Sequence, residues 1–378
     1  MLYRKLPKTG EEISALGYGV MRLPMTGDRT NSEVDYAIAE KLVRTAYENG
    51  VNYFDGAYIY LGQKAEAFMA KALKPVRDKV KIATKMPPGF INDATDFDKI
   101  FNTMIERLDG GYIDFFLMHG FQTYEAFDRL RKLGLLEFLE KIRKSDKVRY
   151  VGFSSHSNEK QFEEIINAYD WDFTQIQYNY LDTRMQAGTE GLEYAAKKGL
   201  GVMIMEPIRG GLLADIQDEE KLALIGKDTT PAEMALRFVL DRPEVTCVLS
   251  GMKTMDEVTQ NIATASKYGV GNLSVSEKAN LEKVAEIFRS QVPVGCTGCG
   301  YCMPCPFGVD IPQCFEAYIE ASITNYERGK GAYNQRTGKL GDDPRDASLC
   351  QKCGLCETKC PQSIKIREKL EEVNKYFG

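Results

Sequence analysis

Eight short apolar runs, separated by segments of helical period, fill the first 290 residues and leave few architectures open. The runs are 16–23, 51–55, 80–85, 112–119, 148–155, 173–179, 201–206 and 245–250. Between them, stretches such as 37–48, 97–108, 127–144 and 257–266 carry apolar residues at three- and four-residue steps. Gly, Pro, Asn and Asp punctuate the joins. Eight strand–helix units in about 250 residues are the count of a (β/α)8 TIM barrel. A doubly wound sheet is the alternative, although even spacing favours closure. The expected fold is therefore α/β, with the barrel over 1–290 and a small helical domain over 291–378.

The ends of the runs differ from their interiors. Asp55, Lys85, His119, Ser154, Ser155, Gln177, Glu206 and Ser250 sit at or near C-terminal ends of otherwise apolar runs. In a barrel these ends converge on the face that holds the active site. Asp, Lys and His on three successive runs form a constellation, whereas any one alone reads as an ordinary ion pair or packing residue.

The last third carries two cysteine runs. The first is Cys296-x-x-Cys299-x-x-Cys302-x-x-Cys305-Pro306, and the second Cys350-x-x-Cys353-x-x-Cys356-x-x-x-Cys360-Pro361. Three thiolates at this step wrap one [4Fe–4S] cube, and the cysteine before Pro ligates the other. That rule assigns Cys296, Cys299, Cys302 and Cys360 to one cluster, and Cys350, Cys353, Cys356 and Cys305 to the second. Structural zinc explains two CxxC pairs but not a third and a fourth cysteine in both runs. The first run has two residues before its last cysteine instead of three, so Cys314 is the backup ligand. Cys247, in an apolar run, reads as a small core residue.

Composition narrows the partners. With 49 basic and 54 acidic residues, net charge −5, the chain has no general attraction to nucleic acid or anionic membrane. No apolar run approaches a membrane span of about 18 residues, and MLYRKLPKTG lacks a signal-type apolar region. Unpaired thiols and cluster ligands fit a reducing cytoplasm.

At this point the chain resembles the aldo-keto reductases over residues 1–290. Phe54-Asp55-Gly-Ala-Tyr-Ile-Tyr60 resembles that family's Asp followed five residues later by its catalytic Tyr. Ala83-Thr84-Lys85 resembles its Lys strand, and Leu117-Met118-His119 its His strand. The tail resembles helical two-cluster ferredoxin domains, and a branch of the family carries such a tail. Chemistry needs these residue types independently of the family. A carbonyl reduced by hydride becomes an alkoxide that must take a proton. Tyr, with a free pKa of about 10, is a poor acid unless a neighbouring Lys⁺ stabilises tyrosinate. Tyr60 is thus the expected general acid, Lys85 its tuner, Asp55 the partner of Lys85, and His119 a hydrogen bond to the substrate oxygen. Tyr58 is the rival donor, and the step from Asp55 favours Tyr60. His156 either lines the pocket or is a structural histidine.

The resemblance also implies a nicotinamide site for NADPH or NADH. Ser154, Ser155 and Gln175 would hold the carboxamide, with Ser155 replacing the usual Asn. Met205 stands where an aromatic usually stacks. Gly210 and Gly211 follow the seventh run, with Arg209 beside them. Lys253 and Thr254 follow the eighth and open a helix, a usual phosphate site in barrels. Asn261 matches the adenine contact, and Glu257 falls where NADP-preferring members often place a basic residue.

A cluster accepts one electron at a time and hydride carries two, so the tail has no evident role in carbonyl chemistry. A flavin could split the pair, but no flavin motif is read. Three readings therefore stay open. One is a carbonyl or alcohol oxidoreductase with structural or regulatory clusters. Another is an electron relay with an outside redox protein as partner. The last is a redox-sensing or binding module. The small-molecule substrate itself has no readable code.

Overall fold

The computed structural model describes every residue except 27–32, 297, 299, 301, 324, 342, 343 and 361. It divides into two compact units, one of 1–215 with 229–278 and the other of 216–228 with 279–378. The division falls at 278/279, inside the helix Val275–Gln291, and not at 290. The excursion 216–228, with its helix Glu219–Ile225, goes with the C-terminal unit.

The first unit is a closed, all-parallel barrel of eight strands in sequential order. They are β1 (Leu16–Gly19), β2 (Tyr53–Asp55), β3 (Lys81–Met86), β4 (Ile113–Phe121), β5 (Val148–Ser155), β6 (Phe173–Gln177), β7 (Gly201–Met205) and β8 (Val245–Ser250). β1 is shorter than the apolar run suggests, because a 3-10 turn over Val20–Arg22 replaces its end. The run 127–144 is likewise two helices, Tyr124–Lys132 and Leu135–Arg143. Gly134 between them has φ 97°, a left-handed conformation that ends the first helix.

Alternation along the strands explains the packing. Tyr53, Ala83, Phe115, Leu117, Phe173, Met203, Cys247 and Leu249 fill the interior, joined by Ile13 of the antiparallel pair Tyr3–Lys5 and Glu12–Ser14 and by Leu6 just after its first strand. Residues of the other parity, among them Phe54, Ile82, Phe116, Val151, Ile176, Ile204 and Val248, face the helices. One glycine is demanded by the interior: a Cβ on Gly152 would stand 2.5 Å from Phe173 O. Two residues beyond the interior layer, the same inward parity reaches Asp55, Lys85, His119, Gln175 and Met205. The packed interior therefore aims these side chains at the mouth.

The C-terminal unit is helical. Its core gathers Phe315, Tyr333, Leu370 and Phe377, among others, from the helices Ile311–Ile323, Tyr326–Thr337 and Ile366–Phe377, with Val309 just before the first of them. The first two helices cross closely at Gly329, where a Cβ would stand 2.5 Å from Ala321 Cα. Between the helices, the described residues of the cysteine runs lie in irregular segments and short 3-10 turns.

Candidate active site

At the barrel mouth, Lys85 Nζ donates to Asp55 Oδ2 at 2.5 Å and to Gly56 O at 2.6 Å. Lys85 is fully buried and Asp55 nearly so. Burial pushes the Asp55 carboxyl up from its ordinary value, and Lys85 opposes that shift. Two strand ends thus hold an ion pair that solvent cannot screen. Removing one partner of such a pair leaves the other buried and uncompensated.

Tyr60 lies in the turn that follows β2. The Lys85 ammonium is 5.1 Å from the centroid of its ring. His119 meets that ring edge-on, with centroids 5.5 Å apart and planes at 80°. Burial raises the Tyr60 hydroxyl above its ordinary value, and Asp55 and Glu206 add to the rise. Lys85 pulls in the opposite direction, as expected of a tuner, but does not overcome burial. His119 is pushed down to about 3 by burial, with the Lys85 charge and His156 adding to the shift. Its imidazole is therefore neutral across the physiological range. Tyr58 is directed elsewhere: its ring packs on Arg107, 4.1 Å from the guanidinium carbon, and against Phe90.

Arg107 is a positioning residue that the sequence pattern does not reveal. It donates to Tyr58 O and to the Gln63 side chain, and it pairs with buried Glu66. Thr84, one residue before Lys85, also donates to Glu66. The turn that carries Tyr60 is thereby fastened from both sides. It contains Leu61, Gly62 and Gln63, all at positive φ, so its shape is strained for the two L-residues.

The expected nicotinamide residues divide into two groups. Ser154 Oγ accepts from Gly120 N at 2.7 Å and keeps its own proton to donate. Gln175 Oε1 is buried with no hydrogen-bond partner among the described residues, an orphan acceptor that a carboxamide N–H would satisfy. These two fit the group. Ser155 is engaged internally, with Phe121 O at 3.1 Å and Ser157 Oγ at 2.7 Å. Met205 ends β7 with its carbonyl accepting from Tyr178 N. Asn261 donates to Ser250 Oγ at 3.1 Å.

At the phosphate end, Gly210 and Gly211 have φ of 66° and 112°. Arg22 covers this turn, with Nη1 donating to Gly210 O at 3.3 Å. Its Cβ would stand 3.4 Å from a Cβ placed on Gly251, so one cation spans the turns after β7 and β8. Arg22 escapes a reading by runs because it sits in the turn that replaces the end of β1. Arg209 is turned away and pairs with Asp182 at 3.1 Å. Lys253 is exposed. The amides of Lys253 and Thr254 are already held by Glu257 Oε2, at 2.6 and 3.3 Å. Thr254 Oγ1 accepts from Glu257 N in return, completing a capping box at the start of the helix Met255–Lys267. The N–H groups expected to meet phosphate therefore carry a carboxylate of the chain itself.

In the C-terminal unit, a cavity of about 240 Å³ is lined by Cys302, Cys305, Cys350, Cys353 and Cys356, with Arg367 and Lys359 at its wall. Cys353 is exposed, and Cys296, Cys302, Cys305, Cys350, Cys356 and Cys360 are half-buried. Gly298 N donates to Cys296 Sγ at 3.4 Å. Lys352 and Gly354 take positive φ, which lets the backbone curl between the thiols of the second run. A thiol-lined cavity with cations beside it fits an anionic iron–sulfur cluster. Cys299 lies outside the described residues. Cys314 points into the core, weakly bonded to Arg345 O at 3.9 Å, and burial pushes its thiol up. It does not line the cavity, whereas Cys305 does. Cys247 is a core residue of the barrel interior.

Comparison with known proteins bears on the family and the fold. Residues 15–274 match the Aldo/keto reductase family, and residues 295–369 match a 4Fe-4S dicluster domain. The L-galactose dehydrogenase of Arabidopsis thaliana is 26% identical over 313 residues, covering 75% of this chain and 95% of that protein. The NADH-specific methylglyoxal reductase of Escherichia coli is 22% identical over 331 residues, covering 75% and 98%. Among solved structures, an aldo-keto reductase from Bacillus halodurans in its holo form superposes with a TM-score of 0.63 at 24% identity, covering 75% of this chain and 96% of that one. One from Klebsiella pneumoniae in complex with NADPH gives 0.60 at 20%, with the same coverage. By its barrel, and by a family match that spans most of the chain, this protein belongs to the aldo/keto reductase family, with a 4Fe-4S dicluster domain after the barrel.

Proposed function

We propose that the barrel interconverts a carbonyl and an alcohol with a nicotinamide cofactor, using Tyr60, Lys85, Asp55 and His119. In the same reading the C-terminal unit carries two [4Fe–4S] clusters on the eight cysteines of the two runs. The observation that carries the barrel chemistry is the Lys85 ammonium, locked by Asp55 and Gly56 O next to Tyr60 and neutral His119.

Bound nicotinamide supplies or accepts the hydride. Ser154 donates to its carboxamide oxygen, and Gln175 Oε1 accepts from its amide. Arg22 and Lys253 meet its phosphates. Neutral His119 donates to the substrate carbonyl oxygen, and Tyr60 gives that oxygen its proton as alkoxide character develops. Lys85 stabilises the tyrosinate left behind, and Asp55 holds Lys85 in place. Tyr60 is then reprotonated from solvent. Glu257 stands at the amides of Lys253 and Thr254, where a further phosphate would meet its charge, so NADH is the favoured form. The Escherichia coli relative described as NADH-specific supports that preference.

A relay of electrons to an outside redox protein is the second reading. It is favoured by the exposure of Cys353 and by the exposed apolar side chains of Phe307 and Leu355 on the wall of the thiol-lined cavity. Among the described residues no helix is long and apolar enough to cross a membrane.

Anaerobic protein given NADH separates the two. Consumption of NADH only when a carbonyl is added, with clusters left oxidised by absorbance and EPR, supports the carbonyl enzyme. Cluster reduction by NADH alone overturns it in favour of the relay.

A further inference from the structure

A chain of buried amides runs across the barrel mouth and ends on a histidine outside the set above. Asp182 Oδ2 accepts from Arg209 Nε at 3.1 Å, Asn179 Nδ2 at 3.1 Å and Gln177 Nε2 at 2.8 Å. Gln177 Oε1 then accepts from Gln186 Nε2 at 3.1 Å. Gln186 Oε1 lies 3.1 Å from His156 Nδ1. The direction of every bond follows from the first. A carboxylate offers only acceptors, so Gln177 must present its NH₂ to Asp182 and its oxygen to Gln186. Gln186 must then present NH₂ to Gln177 and oxygen to His156. An oxygen cannot donate, so the proton of His156 sits on Nδ1. Amide orientations are ambiguous when taken singly, but here the carboxylate end removes the ambiguity for the whole chain.

The consequence falls on the other ring nitrogen. Burial lowers the pKa of His156, so the ring is neutral and Nε2 carries a lone pair. The ring is only partly buried. A Cβ placed on Gly120, the residue after His119, would stand 3.9 Å from His156 Cδ2, the ring carbon next to Nε2. His156 is also close enough to His119 to lower the pKa of that ring. The mouth therefore holds a fixed acceptor beside the group that would bind the reacting oxygen.

We infer that His156 is a specificity-determining residue, locked as a hydrogen-bond acceptor, that selects substrates carrying a hydroxyl group next to the reacting carbon. This rests on the carbonyl–alcohol reading above. A hydroxyl satisfies Nε2, and a methyl group leaves it unpaired. A carboxylate in that place sets lone pair against lone pair. The expected substrates are hydroxy-aldehydes, hydroxy-ketones and their polyols, in preference to plain aldehydes or 2-keto acids.

Two measurements on the untagged 378-residue chain test this. The chain has two histidines, so a ¹⁵N-histidine spectrum contains two imidazoles, and His119→Asn assigns them. His156 is expected as a neutral ring protonated on Nδ1, with Gln186→Leu abolishing that bias. A proton on Nε2, or an imidazolium at neutral pH, overturns the proposal whatever the enzyme turns over. The second measurement compares glyceraldehyde with propanal, which share a three-carbon frame. The wild type should favour glyceraldehyde in kcat/KM by about tenfold or more, and His156→Phe and Gln186→Leu should each shrink that ratio. Equal kcat/KM for both aldehydes in the wild type overturns the role of His156 and leaves the carbonyl reading standing. Turnover of neither aldehyde counts against the carbonyl reading, and the recognition role falls with it.

Discussion

The two units of this chain organise their functional groups in opposite ways. In the barrel, a closed layer of interior side chains lies directly beneath Asp55, Lys85 and His119, and each of these leaves an already ordered strand. Hydrogen bonds from neighbouring strands and turns complete the arrangement with groups of the chain itself. In the C-terminal unit, the described cysteines of the two runs sit in irregular segments and short turns, and six of them pack as partly buried walls against a small helical core. In the proposed reading, clusters bound there would themselves be part of what holds that fold. A site built on strands is preorganised by the chain, whereas a site built on loops is organised by what it binds.

Losing iron is the strongest way to break this contrast. Two [4Fe–4S] clusters hold about eight irons per chain, and Cys353→Ala should cost about half of them. Hydrogen exchange should then accelerate in the helices Ile311–Ile323 and Ile366–Phe377, while the barrel strands keep their protection. Full iron content in that variant would refute the ligand assignment. Equal loss of protection in both units would refute the contrast.

Tyr60→Phe probes the preorganised side. Removing a general acid costs typically 10²–10⁴-fold, so kcat for carbonyl reduction should fall by roughly that factor. Dinucleotide affinity and thermal stability should hold, because the ring still packs against His119. Undiminished kcat would remove Tyr60 from the acid role.

The pH profile sharpens the same point with a smaller effect. His119 is held at about 3, so its ionisation lies far below the working range. Reduction should show no limb near pH 6.5 and should run level from about pH 5 to 8. Tyr60 is raised above its ordinary value, so it stays protonated there; reduction declines only in alkali, and alcohol oxidation, which needs tyrosinate, rises with pH. For stability the sign also follows. A folded pKa of about 3 against 6.5 means the unfolded chain binds the extra proton between those values. His119 therefore stabilises the fold above about pH 6.5, and that contribution is lost as pH falls towards 3. A rate limb at 6.5 would mean that His119 titrates freely.

Much of this was legible in the residues. Strand parity carries Asp55, Lys85 and His119 to one mouth, and the five-residue step from Asp55 separates Tyr60 from Tyr58. Cysteine spacing alone suggests two clusters. Other features were not legible, for physical reasons. The helix break at Gly134 depends on a left-handed backbone that an amphipathic pattern does not register. Arg22 acts from a turn that shortens an apparently continuous strand. The lock on His156 runs through Gln186, Gln177 and Asp182, whose separations in sequence have no period, so only folding places them in line. The engagement of Ser155 with Ser157 likewise appears only once the strand end curls.

The finest test lies at the amides of Lys253 and Thr254, which the cofactor reading gives to phosphate and which a side chain of the barrel already occupies. Glu257 caps the amides of Lys253 and Thr254, and it would stand in like-charge opposition to a second phosphate near that helix end. Glu257→Gln keeps an oxygen for the cap while removing the charge. Helix stability should change by no more than about 1 kcal/mol. The ratio of kcat/KM for NADPH over NADH should rise about tenfold, equivalent to about 1.4 kcal/mol of relieved repulsion. An unchanged ratio with the cap intact would mean that the extra phosphate is accommodated away from this helix, leaving Arg22 and the Gly210 turn to set the preference.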